Sequence, residues 1–310
     1  MRFPVTIRTT ITPSNIHLAS YKEWLGKQAI TANTQRVYHS RVKQFLLFIE
    51  YANLDDQPLN NLDCMNEAMS MYLIFLKEAK GGIKSINANV NALNSFSHFL
   101  GLKETQLKRE HCYNKSTKIL TAEEQRKFLC SAQEQDWVRD KALALVLFYT
   151  GLRIGDCARL DVADVLINAA SDTSAPSFFA VDDFGANDTF AHIKLSNGAK
   201  VPLNKVTVLA LQQWLIERAK LAGAQTNSAL WLTKDSDRLS ISGMACVIRR
   251  IGWQAQLVVS AELLRRCWLT RSTNHFNKKE LAARCGNYIS ASTINRYGIS
   301  LPALDLNMSA

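Results

Sequence analysis

The run Ala142-Leu-Ala-Leu-Val-Leu-Phe148 is apolar on every side of any helix drawn through it. A surface helix shows one apolar stripe and one polar face, whereas a helix that is hydrophobic all round has to be buried. The run therefore predicts a central helix over about 137–150, with other elements packed around its circumference. Gly151 ends it. Just upstream, Thr121-Ala-Glu-Glu124 is a capping-box pattern and opens a helix over about 121–133.

At roughly 100–200 residues per domain, 310 residues suggest two domains, and the central helix belongs to the second. The first half also reads as helices. Tyr38, Val42, Phe45, Leu46 and Ile49 recur at helical spacing, behind candidate N-caps Thr31, Asn33 and Thr34. Asn53–Asn61, with Pro58, ends that helix. A second runs over about 65–78 and is broken at Gly81-Gly82, and Ile86, Val90, Leu93, Phe96 and Leu100 mark a third, stopped by Gly101. These bounds give an N-terminal arm over 1–16, a helical domain over 17–102, a basic linker over 103–120, a second domain over 121–300 and a tail over 301–310. Within the second domain, 167–192 is Asp-rich with little periodicity and reads as an insertion with at most a short strand near 178–181. His192–Leu195 and Lys200–Leu203 flank Ser196-Asn197-Gly198, a hairpin signal. Helices follow at about 204–222, 240–256, 260–273, 278–284 and 290–297. The fold class is mainly α with a small β-sheet.

Composition removes several classes. With 47% hydrophobic and 21% charged residues the chain is globular rather than disordered. No apolar stretch approaches the ~18–20 residues that span a bilayer, and residues 1–20 lack the apolar run of a secretory signal. A soluble cytoplasmic protein is expected, with no membrane partner. The seven cysteines are scattered without a C-x-x-C pair, which indicates neither a zinc site nor a disulfide framework, but small buried hydrophobes in a reducing compartment. The net charge is +10, and it is unevenly placed. Residues 238–300 carry ten Lys or Arg against Glu262 and Glu280 alone. Such a stretch points to a polyanionic partner.

The most informative segment is Thr150-Gly-Leu-Arg-Ile-Gly-Asp-Cys-Ala-Arg-Leu160. A buried helix stops at glycine and an arginine follows. Read locally, Arg153 either caps the next turn and pairs with Asp156, or presents its guanidinium at the mouth of the core.

Thr150, Gly151, Leu152, Arg153, Leu160, Asp164 and Val165 match the first signature box of the tyrosine recombinase (phage integrase) family, which the chain resembles; Asp156 stands where that box has Glu. Glu262-Leu-Leu-Arg265-Arg266-Cys267 is similar to the second box, with Glu262 in the place of the usual His. Gly286-Asn-Tyr288 and Ser292–Tyr297 are similar to its continuation, with one residue inserted before the aromatic position. Lys194, eight residues before Pro202, fits the family's hairpin lysine, and Lys200 is the rival. Thr31–Tyr38 and the helix through Ile86–Leu100 resemble the helical core-binding domain, so the resemblance spans about 17–300.

That resemblance implies an N-terminal core-binding domain joined to a mixed α/β catalytic domain. The two clamp double-stranded DNA at a recombination site. The Tyr297 hydroxyl attacks the scissile phosphate, giving a 3′-phosphotyrosyl link and a free 5′-hydroxyl, and a partner strand's hydroxyl then resolves the link. Arg153 and Arg265 are assigned to the non-bridging oxygens, where planar guanidinium groups suit the developing charge. Lys194 protonates the leaving oxygen. Glu262 orients an arginine or accepts the tyrosine proton, and Tyr288 takes the stacking role of His or Trp. No metal and no other cofactor is called for, because the phosphotyrosine conserves the bond energy. The DNA-backbone contacts expected are Arg36, Arg41, Lys43, Lys84, Arg249, Arg250, Arg266, Arg271, Lys278 and Lys279. A homo-tetramer in the synaptic complex, an accessory DNA-bending protein and a nucleoid-associated location accord with the same resemblance. The alternative is a catalytically weak or inactive relative acting as an accessory or regulatory DNA-binding factor, for which Glu262 is the motive. A DNA-free helical interaction protein is the third reading, and the basic C-terminal stretch argues against it.

Overall fold

The computed structural model describes residues 13–54, 57–79, 82–102, 107–110, 119–167, 191–277, 280, 281 and 284. The chain divides into two compact units, Met1–Lys115 and Ser116–Ala310.

The first unit is all helical among its described residues: α1 (Pro13–Gly26), α2 (Ala32–Tyr51), α3 (Gln57–Asn60), α4 (Leu62–Glu78) and α5 (Ile83–Phe99). α1 starts within the stretch expected to be an arm. Thr31 caps α2 by accepting from the Thr34 amide at 3.2 Å, and Asn61 caps α4 by accepting from the amides of Asp63 and Cys64. The apolar stripe read from α2 is buried, with Val42, Phe45, Leu46 and Ile49 all in the core. Tyr21 stands edge-on to Phe96 and donates to Ser95 Oγ at 3.0 Å. Residues 107–110, expected in the linker, lie along α5. Asn87 exchanges two 2.8 Å hydrogen bonds with the Glu110 backbone, and Arg109 Nε donates to Asn91 Oδ1 at 2.8 Å.

The second unit is organised by the central helix. It contains α6 (Ala122–Gln133), α7 (Val138–Thr150), α8 (Ile154–Arg159), a 3-10 turn (Val162–Asp164), β1 (Val165–Ile167), β2 (Ala191–Lys194), β3 (Lys200–Pro202), α9 (Lys205–Ala219), α10 (Ile241–Gln254) and α11 (Ala261–Ser272). Every residue of α7 from Ala142 to Thr150 is buried. α6, α9, α10 and α11 all pack on it, which is the cover its all-round hydrophobicity demands. The capping box of α6 is formed in both directions, Glu124 N–H to Thr121 Oγ1 and Thr121 N–H to Glu124 Oε2.

The sheet is antiparallel in the order β1-β2-β3. The hairpin closes through Gly198, in the left-handed region at φ 81°. Its amide donates to Leu195 O, and Leu195 N–H donates to Ala199 O, both at 2.8 Å. This is a three-residue loop with glycine at the left-handed position rather than a two-residue turn. β1 and α8 were not read from the sequence, being three and six residues long. The insertion's expected strand near 178–181 and the helices expected at 290–297 lie outside the described residues, as does much of 278–284.

One buried ionic group ties α7 to α10. Asp140 is fully buried; Arg139 pairs with its Oδ1 at 2.6 Å and Arg250 with its Oδ2. Arg139 also donates to Leu232 O at 2.7 Å and stacks on Trp137. Burial pushes the Arg139 guanidinium below its usual range, with Asp140 opposing that shift.

Candidate active site

The end of α7 and the body of α11 build the centre of the candidate site. Gly151 caps α7 in the left-handed conformation, φ 59°. A side chain there would also collide: a Cβ would come within 2.5–2.9 Å of three ring atoms of Trp268. Only glycine meets both demands. The reversal at Gly151 sends the chain through buried Leu152 to Arg153, which is exposed and precedes α8. Thr150 supports the turn by donating to Val146 O at 2.5 Å and accepting from the Leu152 amide at 3.3 Å.

Arg265 comes from α11 and is 6% exposed. Its Nη1 donates to the carbonyl of Gly151. The two motif boxes, 114 residues apart in sequence, thus meet directly at Gly151, through the Arg265 guanidinium and the Trp268 ring. A helix C-terminus carries negative partial charge, so this is a favourable seat for a cation.

The remaining expected residues divide. The Asp156 carboxylate pairs with Arg159, three residues on. Glu262 is exposed and faces Arg266 across 3.6 Å on the same helix. Lys194 ends β2 exposed, and Lys200 is its register partner on β3. The two candidate lysines therefore sit side by side at the mouth of one hairpin. His192 is two residues from Lys194 on the same pleat face, and desolvation, then the charge of Lys200, hold its imidazole below the usual histidine range. Tyr288, Tyr297, Lys278 and Lys279 lie outside the described residues.

Among the expected backbone contacts, Arg249 and Arg250 are exposed on α10, Arg250 being braced by Asp140, and Arg266 is half-buried. Arg36 and Lys43 are exposed on α2, and Lys84 is exposed at the start of α5. Arg41 reaches the Ser85 carbonyl at 3.4 Å. Arg271 is a correction: it is 8% exposed, with its guanidinium on Gln125 Oε1, on Phe148 O at 3.2 Å and 4.5 Å from the Phe148 ring centre. These protein groups, rather than solvent, surround its guanidinium. The cysteines also divide, Cys157 and Cys267 being buried while Cys130 and Cys246 are exposed. Burial pushes the Cys157 thiol up to about 12. Among the described residues no cluster of His, Cys, Asp or Glu could hold a metal ion.

Sequence reasoning missed Trp268 and Gln125. Trp268 was findable, because it lies three residues after Arg265 on a helix and so shares its side. Gln125 sends no such signal, since its role depends on a partner 146 residues away.

The family model described as the phage integrase family matches residues 118–302. TnP I resolvase of Bacillus thuringiensis is 25% identical over 282 residues, covering 86% of this chain and 89% of that protein. Among solved structures, the XerH site-specific recombinase bound to difH substrate in a pre-cleavage complex has a TM-score of 0.65 at 17% identity, covering 90% of this chain and 81% of that one. A lambda integrase tetramer bound to a Holliday junction has a TM-score of 0.61 at 15% identity, covering 91% and 76%.

Proposed function

This chain belongs to the phage integrase family and is a tyrosine-type site-specific DNA recombinase, and on that premise we propose that Tyr297 forms its 3′-phosphotyrosyl intermediate. Arg153 and Arg265 hold the non-bridging oxygens of the scissile phosphate, and Lys194 protonates the departing 5′-oxygen. Glu262 acts on Arg266. Arg36, Arg41, Lys43, Lys84, Arg249, Arg250, Arg266, Lys278 and Lys279 meet the DNA backbone. The observation that carries the assignment is the contact of the Arg265 guanidinium with the Gly151 carbonyl, which brings the two signature boxes to one point.

The partner in this reading is a double-stranded recombination site. The likeness to lambda integrase, solved as a tetramer on a Holliday junction, supports four copies acting together. Among integration, excision, resolution and inversion, the match along 89% of a resolvase favours resolution.

The test is covalent capture. A nicked duplex carrying the site enriched by binding selection traps the protein as a denaturation-resistant adduct. The wild type gives the adduct and Tyr297→Phe does not. An adduct surviving in Tyr297→Phe would remove Tyr297 from the role.

A further inference from the structure

The last carbonyls of an α-helix have no partner inside it. At the end of α7, Phe148 O accepts from Nη2 of Arg271, and just beyond, Gly151 O accepts from Nη1 of Arg265. Both arginines belong to α11, with Trp268 between them on Gly151. At about 100° per residue the three span roughly a third of that helix's circumference. A second set of bonds closes a ring on the same helix. Arg271 Nη1 donates to Gln125 Oε1, Gln125 Nε2 donates to Leu120 O at 2.8 Å, and Leu120 N–H donates to Cys267 Sγ at 3.2 Å. Gln125 is 6% exposed and Leu120 3%, so these bonds are shielded from water, where unmade bonds are costly.

We propose that Arg271 and Gln125 are positioning residues for Arg265: they fix α11 against the end of α7 and so hold the Arg265 guanidinium where the scissile phosphate arrives. The proposal rests on the reading that Arg265 binds that phosphate. A buried arginine bonded to two groups of neighbouring elements holds a helix in rotation as well as in distance. Trp268 on the bare Cα of Gly151 fixes the distance, and the Arg271 pair fixes the rotation. Displacement of a catalytic group by about 1 Å costs about 10²-fold in rate.

The test compares adduct formation in single turnover on two nicked substrates, one with an ordinary scissile phosphodiester and one with a neutral methylphosphonate there. A neutral phosphorus centre develops less charge for a guanidinium to meet, so defects that act through Arg265 shrink on it. Arg271→Leu is expected to lose about 10²-fold on the phosphodiester and at least about tenfold less on the methylphosphonate, following the pattern of Arg265→Ala. Gln125→Met is expected to show the same pattern with a smaller loss. Arg271→Lys recovers part of the rate, since one ammonium reaches one carbonyl but lacks the fork. Arg265→Ala with Arg271→Leu is no slower than Arg265→Ala alone, as expected of residues acting as a unit. If Arg271→Leu gives no cooperative thermal transition, Gln125→Met and Arg271→Lys carry the comparison. Equal losses on both substrates, or a double variant slower than Arg265→Ala, overturn the proposal while leaving the recombinase reading intact. A wild type that forms no adduct on either substrate overturns both.

Discussion

At the scale of single residues, Gly151 carries the most demanding position. Its φ of 59° and the Trp268 ring atoms 2.5–2.9 Å from a would-be Cβ act together. A left-handed non-glycine residue costs about 1–2 kcal/mol, and overpacking typically adds about 1–3 kcal/mol. Gly151→Ala is therefore expected to destabilise the second unit by roughly 2–5 kcal/mol, read as a fall in the thermal midpoint. Covalent adduct formation should fall further than stability explains, because Arg265 is bonded to the same residue. A variant with unchanged midpoint and unchanged adduct rate would show that the Trp268 contact relaxes freely.

At the scale of elements, the hairpin decides which lysine is the proton donor. Lys194 and Lys200 are register partners, so position in the sheet does not separate them. Chemistry does. A bridging sulfur in place of the 5′-oxygen leaves as a thiolate of pKa about 8.5 and needs no acid. The general acid's alanine variant should lose about 10²–10⁴-fold on the oxygen substrate and recover on the sulfur one. Lys194→Ala is expected to behave so and Lys200→Ala is not; the reverse result moves the role to Lys200. The elements also mark where sequence was informative. The helices with strong stripes or caps were legible: α2 through Val42, Phe45 and Ile49, α6 through Thr121 and Glu124, and α7 through its unbroken apolar run. β1 and α8 were not, since neither is long enough to display a period. At the candidate site the two sequence boxes that hold Arg153 and Arg265 meet at the Gly151 carbonyl, which Arg265 Nη1 reaches. The sequence was misread at Arg271, whose charge suggested solvent while Phe148 O and Gln125 held it inside. A long-range hydrogen bond to a neutral acceptor leaves no trace in local spacing.

At the scale of the whole molecule, the charge of +10 separates into working and structural parts. Cations on DNA phosphates release counterions, so each one removed lowers the steepness of the salt dependence by about 1. Arg249→Gln and Lys43→Gln, exposed on α10 and α2, are expected to flatten the plot of log affinity against log salt by about that much each. Arg271→Leu, which removes a charge buried at the end of α7, should leave the slope as it is while slowing the chemistry. Binding titrations over a salt series distinguish the two groups. A flattened slope in the Arg271 variant would place its charge on the DNA side after all. Net charge alone therefore overstates the contact surface, because Arg139, Arg218 and Arg271 are all buried in the second unit on neighbouring protein groups.

The bonds from α11 to the end of α7 also restrict how the helix can vary in length. Arg265, Trp268 and Arg271 meet their partners only in one rotational phase, and one inserted residue advances everything beyond it by about 100° and 1.5 Å. An insertion between 265 and 271 would keep every side chain type yet swing Arg271 away from Phe148 O. The same insertion at Ser196-Asn197-Gly198 would merely lengthen an exposed turn. Descendants of this chain can thus drift in loop length around the site, while the six-residue interval inside α11 is held as firmly as the residues that bound it.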